Sequence, residues 1–372
     1  HPLFHTLSTV VFAGLGPLAL NYLNAALLLP LMWLVYRLAR VMKARPTAAL
    51  VAATAVPAIH CVAWITTKVE VYSLNAVLTL AVFWLALDRP HGRAGAGHLL
   101  LVGVLTGLSV AVHQLGLVVL FPLYLMLLMQ NRWRMAWTAL GGVIGMLICL
   151  PGLLDELATG SSFLDLISGY LSGKTERAAG WESALFRFDH MLADKNPIVI
   201  LLLSLFGPGA IGLLFRPKAP AARVIWWGAA ANLLFAVSYG VTDRFTFFLP
   251  GAILLATLGV VATDRHLARC RFRDPCLALI AVVPVMPLSA AGHASVLGLY
   301  RFPATSSSVS QRNDALYFLS PWIRDPSSAA FLKDFYREER GSTVLVADFA
   351  IAGVLRSAKV PGSQLLERRT IV

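Results

Sequence analysis

The chain has 372 residues, of which 58% are hydrophobic and only 13% are charged, and its mean hydropathy is +0.71. Soluble globular domains carry about 25% charged residues. The composition therefore excludes a soluble protein, and with it the nucleic-acid partner that a net charge of +12 would otherwise suggest. The four cysteines have neither metal-ligand spacing nor the pattern of a disulfide framework. We predict an all-α, polytopic membrane protein embedded in a lipid bilayer.

About ten segments are apolar over enough length to cross a bilayer or nearly so, because a spanning helix needs roughly 20 apolar residues. They make residues 1–292 a predicted transmembrane domain, in which residues 155–195 form one long outer loop. The predicted spans are Leu18–Tyr36, Ala48–Thr66, Ser73–Leu87, His98–Val112, Leu115–Met129, Met135–Leu154, Pro197–Phe215, Val224–Tyr239, Phe247–Ala262 and Cys276–Ala291.

Lysine and arginine cluster in every second connection, and the intervening short connections carry almost none. Because positive charge marks the cytoplasmic side, this alternation predicts that Glu70, His113 and Asp243 lie on the outer face. The N-terminus and the residues beyond Gly292 are predicted to lie there too. We expect most charges on the inner face only to set orientation. The basic connections are residues 37–45, 89–93, 132–134, 216–223 and 265–273.

The N-terminal segment begins with His1 and continues into a short apolar stretch, Thr6–Leu15. This stretch is too short to span and is predicted to lie on the outer interface. His1 is a candidate substrate ligand, and a solvated terminal histidine is the alternative.

Glu70 lies in a short connection between two apolar runs, close to Lys68. An ionisable group beside a membrane span is costly to desolvate and is therefore a functional candidate. The alternative is an exposed turn carboxylate that pairs with Lys68.

His113 ends a helix that is rich in small residues, and a new helix begins at Leu115. An imidazole at the outer end of a helix can exchange a proton or donate a hydrogen bond to a phosphate. A buried histidine that fixes a tight turn is the alternative.

Two further outer segments carry candidate groups. Residues 155–195 interleave aromatic and polar side chains, a pattern typical of interfacial helices that either frame an acceptor groove or cap the helix ends. Asp243 and Arg244 precede the aromatic start of the next span, and an arginine fork suits a phosphate oxygen. A structural ion pair between Asp243 and Arg244 is the alternative.

Taken in chain order, these motifs resemble the protein O-mannosyltransferase-like family of the GT-C superfamily. Members of this superfamily share a fold of multi-span transferases that take a sugar from a polyprenyl-phosphate donor on the outer face. The resemblance covers most of residues 2–250 and rests on the His-Pro-Leu-Phe start, Glu70–Asn75, Gly107–His113, Asp243-Arg244 and Phe247–Pro250.

The resemblance implies roles for particular residues. It makes Glu70, His113 and Asp243 candidate catalytic residues. The candidate substrate-binding residues are Tyr72, Asn75, Arg244 and His1. The family also carries an acidic residue, usually aspartate, ahead of the His-Pro segment. The sequence begins at that segment, so we expect the chain as given to lack this acid and the first helix, and Glu70 to orient a substrate instead of acting as the base.

Residues 293–372 have a more polar composition and are predicted to form a partial, truncated α/β tail on the extracytoplasmic side. Ser327–Arg340 has the pattern of an amphipathic helix, and Thr343–Ala347 that of a buried strand. A strand and a helix begin an α/β unit that the sequence does not complete.

We therefore predict a bacterial inner-membrane glycosyltransferase whose site faces outward. It would transfer a sugar from a polyprenyl-phosphate donor to a hydroxyl of a protein or glycan acceptor, with no metal or cofactor. A transporter or flippase for a lipid-linked solute is the first alternative, although polar groups at the outer rim and the lack of a clear internal repeat favour it less. A catalytically silent membrane assembly protein is the second.

Overall fold

The computed structural model of the chain describes residues 7, 15, 17–67, 70–89, 95–158, 160, 162, 164, 185–189, 196–240, 244–296, 345–346 and 366–367. Within this part the backbone is almost entirely helical, which agrees with the predicted class. The α-helices are α1 (Pro17–Ala26), α2 (Leu28–Val41), α3 (Pro46–Ala55), α4 (His60–Thr66), α5 (Tyr72–Asp88), α6 (Ala96–Val112), α7 (Leu115–Asn131), α8 (Met135–Met146), α9 (Leu150–Ala158), α10 (Asn196–Leu205), α11 (Pro208–Leu214), α12 (Pro220–Ser238), α13 (Leu249–His266), α14 (Arg273–Val282) and α15 (Val285–Val296).

Short 3₁₀ helices and one strand pair complete the described structure. Strand β1 (Leu345–Val346) pairs in parallel with β2 (Leu366–Glu367), and β1 lies inside the predicted strand Thr343–Ala347. The remainder of the tail, including Ser327–Arg340, lies outside the described residues, so the α/β tail and the division at residue 292 stay predictions. The 3₁₀ helices are Val56–Ala58, Arg132–Arg134, Leu147–Cys149 and Arg244–Phe248.

Several of the described helices are long and apolar enough to cross a membrane, which supports a multi-pass membrane protein. A bent pair, Pro46–Ala58 and His60–Thr66, adds one further span if it is counted as a unit, while α5 and α6 are apolar but shorter. The prediction of about ten spans stays open on this count. The five single candidates are Tyr22–Val41, Leu115–Leu154, Pro220–Ser238, Thr246–His266 and Arg273–Ala290.

Two predicted spans are interrupted. The span Ala48–Thr66 bends by 60° where Ile59, two residues after Pro57, takes an extended conformation. The span Pro197–Phe215 divides into α10 and α11 at Gly207, which has a φ of +79°. Glycine adopts this conformation without steric cost, and the proline after it suits the first position of a helix.

Glycines bring α6 and α8 into direct backbone contact. A Cβ atom added at Gly103 would clash with the carbonyl of Thr138, and one added at Gly107 would clash with that of Gly142. Because contacts advance along both helices together, α6 and α8 run in the same direction. The long apolar stretch Leu115–Leu154 therefore turns back near Arg132, where a φ of +46° interrupts the helix, as the two separate spans predicted for it require.

Helix α13 is the central helix of the bundle, and almost every one of its residues is buried. Its last turn places the Asp264 carboxylate, 3% exposed, between two arginines: Oδ1 lies 3.1 Å from Arg45 Nε and 2.7 Å from Arg273 Nη2. Arg45 also pairs with the more exposed Asp274 at 2.5 Å. These charges thus tie α3, α13 and α14 together. The prediction for most charges on the inner face was that they only set orientation, and these residues do more than that.

The contacts separate the two ends of the bundle as the charge pattern predicted. Segments predicted on the inner face meet at what we call the basic end, where Arg45 reaches Asp264 and Arg37 lies 3.9 Å from Asp88. Segments predicted on the outer face meet at the opposite end, which is described below. The charge rule predicts that the basic end is the cytoplasmic one.

Candidate active site

Four aromatic rings from three separate segments meet at the end of the bundle opposite the basic end. We call this set the aromatic cluster: Tyr72 at the start of α5, His113 between α6 and α7, Tyr239 just after α12, and Phe247 in the 3₁₀ helix before α13. Ring centroids lie 5.1 Å apart for Tyr72 and His113, 5.3 Å for Tyr72 and Phe247, and 5.4 Å for His113 and Phe247. The centroids of Tyr239 and Phe247 are 5.1 Å apart. Such offset and edge-on pairs are favourable packing geometries.

His113 breaks the helix that precedes it and caps the one that follows. Its extended backbone, with φ −164° and ψ 137°, ends α6. Its Nδ1 then accepts a hydrogen bond of 3.0 Å from the backbone N–H of Leu115 at the start of α7. A ring nitrogen that accepts a hydrogen bond carries no proton, so the neutral ring has its hydrogen on Nε2.

Burial also keeps the imidazole neutral. His113 is 7% exposed, and its burial lowers the pKa below the ordinary value of 6.5 because desolvation disfavours the charged form. The neutral ring therefore carries its hydrogen on Nε2, and the catalytic role predicted for His113 stays a prediction.

Asn75 holds the turn that carries His113. Its Nδ2 donates to the backbone carbonyls of Ser109 at 2.9 Å and His113 at 3.0 Å, and approaches the Ser109 hydroxyl at 3.1 Å. The Thr79 hydroxyl lies 3.2 Å from the same Ser109 oxygen. Buried hydrogen-bond networks of this kind fix their members in one arrangement.

The substrate-binding role predicted for Asn75 stays a prediction. The residue has no exposed surface and its Nδ2 is engaged by the end of α6, whereas its Oδ1 has no hydrogen-bond partner among the described residues. In the described structure Asn75 fixes the turn that carries His113.

The structure describes only some of the other predicted site residues. Glu70 is half-buried two residues before Tyr72, at the same end of the bundle as the aromatic cluster. Arg244 begins the 3₁₀ helix that holds Phe247, but its side chain lies outside the described residues. Asp243 and His1 lie outside them altogether, so their roles stay predictions.

Sequence reasoning missed Asn232, which fixes the Phe247 segment. This fully buried asparagine donates from Nδ2 to the Phe247 carbonyl at 2.9 Å, and its Oδ1 accepts from the Gly251 N–H at 2.8 Å. It thus ties the middle of α12 to the start of α13. An amide in the middle of an apolar span is a signal of such interhelical bonding.

The long outer loop reaches the same end of the bundle. The backbone N–H of Arg187 donates to the carbonyl of Ser238, the last residue of α12, at 2.7 Å. The Arg187 side chain forms a paired contact with Asp189, at 3.0 and 2.9 Å. A described part of the loop 155–195 therefore lies beside the segment that leads to Phe247.

No group of three metal-ligating side chains occurs among the described residues. Asp243, the N-terminal histidines and most of the acidic side chains of the loop 155–195 fall outside that part of the chain, so the predicted absence of a metal stays a prediction.

Comparison with known proteins places this geometry in context. Residues 17–137 match the family model described as "Protein O-mannosyl-transferase TMEM260 N-terminal domain", and this region contains Glu70, Tyr72, Asn75 and His113. No curated protein sequence matches the chain significantly.

Two solved structures of ArnT from Cupriavidus metallidurans share the fold. The one bound to undecaprenyl phosphate aligns with a TM-score of 0.59 at 14% identity, over 95% of this chain and 74% of that chain. The apo structure aligns with a TM-score of 0.58 at 16% identity, over 95% and 73%. At this identity the likeness concerns the fold alone. Together, the matched N-terminal domain and the shared fold support the resemblance drawn from the motifs, for a chain whose described helices indicate a multi-pass membrane protein.

Proposed function

We propose that the chain is the transmembrane domain of a glycosyltransferase that moves a sugar from a polyprenyl-phosphate donor to an acceptor hydroxyl. The transfer takes place at the end of the bundle that holds the aromatic cluster, which we call the aromatic end. The observation that carries this proposal is the meeting of Tyr72, His113 and Phe247 from three distant segments at one end of the bundle. The match to an O-mannosyltransferase domain over residues 17–137 supports the class of reaction.

The fold and the membrane environment support a polyprenyl-phosphate donor. A sugar carried on a polyprenyl phosphate is presented at the membrane interface, where a multi-pass protein reaches it without extracting the lipid. The ArnT structure with the same fold was determined with undecaprenyl phosphate bound, which supports a lipid phosphate of this class. By the charge rule we expect the aromatic end to lie on the extracytoplasmic side.

The reaction proposed is an inverting displacement. The acceptor oxygen forms a bond to the anomeric carbon, the bond from that carbon to the phosphate oxygen breaks, and the hydroxyl proton passes to a carboxylate. The family resemblance assigns that carboxylate to an acidic residue ahead of the His-Pro segment, because general-base catalysis needs a carboxylate within hydrogen-bond reach. Glu70 would then orient the acceptor, with Asp243 close to it in the site.

Hydrogen-bond donors to the departing phosphate are the last part of the proposed site. Arg244 precedes Phe247 in the 3₁₀ helix and would bind phosphate oxygens through its fork of N–H groups. His113 would add a neutral donor from Nε2, and Tyr72 would form part of the wall against the sugar. Preorganised donors aimed at developing charge supply a large part of catalysis in such sites.

The test is sugar transfer by the natural full-length protein in proteoliposomes, with radiolabelled polyprenyl-phosphate mannose as donor and a hydroxyl-bearing peptide as acceptor. Replacing Arg244 by alanine is expected to lower kcat about 10²–10³-fold, the cost of removing one donor to a developing negative charge. Glu70→Gln is expected to raise the acceptor KM.

The matched control is Arg269→Gln, which removes an exposed arginine after α13 at the basic end. It should transfer sugar like the natural protein. Unchanged transfer in both Arg244→Ala and Glu70→Gln would remove the site assignment, and no transfer by the natural protein from any polyprenyl-phosphate sugar would remove the function.

Transport of a lipid-linked solute is the second candidate, and one observation favours it. The pair α3 and α4 forms a span bent by 60° at Ile59, and broken helices are a feature of transporter binding sites. The same proteoliposomes distinguish the two functions, because a flippase moves a labelled lipid between leaflets without consuming its sugar phosphate bond.

A further inference from the structure

A large groove lies on the surface of the bundle between α7 and α12, and the residues that line it do not include those of the aromatic cluster. It has a volume of about 960 Å³, and apolar side chains such as Leu125, Trp227 and Leu234 line it. Among the described residues that line it, the polar side chains at one end are those of Gln130 and Arg223. Both occur where α7 ends and α12 begins, which is the basic end.

The groove has the length of one membrane leaflet. Its lining extends from Phe121 to Gln130 on α7 and from Pro220 to Leu234 on α12, which is about 14 Å and 21 Å at 1.5 Å per residue. Half of a hydrocarbon core of about 30 Å is about 15 Å. An acyl chain whose headgroup lies at the basic end therefore matches the groove in both length and polarity.

The positive charge at the basic end of the groove favours an anionic headgroup. Residues 89–154 and 195–242, which contain both helices and their basic-end connections, include no aspartate or glutamate. Arg223 is exposed and donates from one Nη to the Lys218 carbonyl at 3.0 Å, and guanidinium has further N–H donors to offer. Within the described part of the chain, no carboxylate forms an ion pair with Arg223.

We propose that this groove binds an anionic diacyl phospholipid from the leaflet at the basic end, with its phosphate on Arg223 and one acyl chain along α7 and α12. Basic pockets between transmembrane helices recognise anionic headgroups in this way. A zwitterionic lipid would bring a quaternary ammonium toward the same cations and would be bound less well. This proposal does not depend on the glycosyltransferase activity.

The test is lipid-dependent stabilisation of the purified, delipidated protein in detergent. Phosphatidylglycerol and phosphatidylcholine with identical acyl chains are titrated separately, and the midpoint of thermal unfolding is followed. We expect phosphatidylglycerol to raise the melting temperature more, and Arg223→Gln to weaken its apparent affinity about fivefold, since one arginine near an anionic surface contributes about 1 kcal/mol. Ala231→Phe, which fills the groove, should weaken binding of both lipids.

Arg269→Gln is the control, because Arg269 is an exposed arginine at the basic end that does not line the groove. It should respond to phosphatidylglycerol like the natural protein. Equal stabilisation by the two lipids, or an unchanged response in Arg223→Gln, would overturn the proposal. So would stronger stabilisation by polyprenyl phosphate that Arg223→Gln abolishes, because the groove would then hold the donor lipid.

Discussion

Replacing Asp264 by alanine is expected to lower the stability of the protein by about 3 kcal/mol, at the low end of the range for breaking a buried ion pair. The carboxylate is 3% exposed and lies between Arg45 and Arg273. Without it, Arg273, whose side chain is 18% exposed, loses its anionic partner in a confined position. The apparent melting temperature in detergent should fall by several degrees.

Asp274→Ala is the matched control for this experiment. Asp274 also pairs with Arg45, at 2.5 Å, but its side chain is 60% exposed. Ion pairs in contact with solvent contribute at most about 1 kcal/mol, so this variant should unfold close to the natural protein. Equal losses in the two variants would show that burial of Asp264 is not what makes its ion pairs important.

Replacing His113 by phenylalanine is expected to lower kcat about 10–100-fold and also to lower the stability by about 1–3 kcal/mol, because the buried N–H of Leu115 loses its acceptor. The new ring keeps the packing against Tyr72 and Phe247 but removes the Nε2–H donor. A hydrogen bond to a charged group contributes about 1.5–3 kcal/mol, which corresponds to that range of rates. Transfer assays and melting curves on the same preparations measure both effects.

The pH profile separates a donor from a base at this position. His113→Gln keeps an N–H donor and should recover part of the lost rate, with a profile of kcat against pH parallel to that of the natural protein between about pH 5.5 and 8. If the natural protein instead shows an acidic limb that disappears in His113→Gln, His113 is a base and the hydrogen bond from Leu115 does not determine its role.

Hydropathy and charge were sufficient to predict the helical membrane class and its two ends. The predicted span Val224–Tyr239 falls almost wholly within α12, and Phe247–Ala262 overlaps most of α13. Both predictions succeeded because an apolar helix of this length has few alternatives in a bilayer. The alternation of basic connections also predicted that Arg45 and the connection just after Asp264 lie at the same end of the bundle.

Contacts between distant segments could not be predicted from the sequence. Arg45 and Asp264 are 219 residues apart, and no local pattern distinguishes a buried carboxylate that pairs with two arginines from one in solvent. The resemblance made Asn75 a candidate substrate ligand because this residue ends the Glu70–Asn75 motif. Only the packing of α5 against α6 shows that its amide faces the Ser109 and His113 carbonyls.

Helix breaks were predicted where a strong signal exists and missed elsewhere. Polar residues between apolar runs marked the turn at His113, which the structure contains. The bend at Ile59 follows a single proline, and prolines within membrane helices often leave the span continuous. Hydropathy is averaged along a whole span and does not register a single bend. The helix was therefore predicted to continue unbroken through Ile59.

If Glu70 and the Asp243 region share one rim of the bundle, a short bifunctional thiol reagent should join cysteines placed at positions 70 and 243. The two cysteines are introduced into the full-length protein in membranes, in a background in which every native cysteine is replaced by serine. We expect an intramolecular cross-link between positions 70 and 243, and none between position 70 and a cysteine at position 274, beside Arg45 at the basic end. A cross-link between positions 70 and 274, with none between 70 and 243, would show that Glu70 and Asp243 do not share a site.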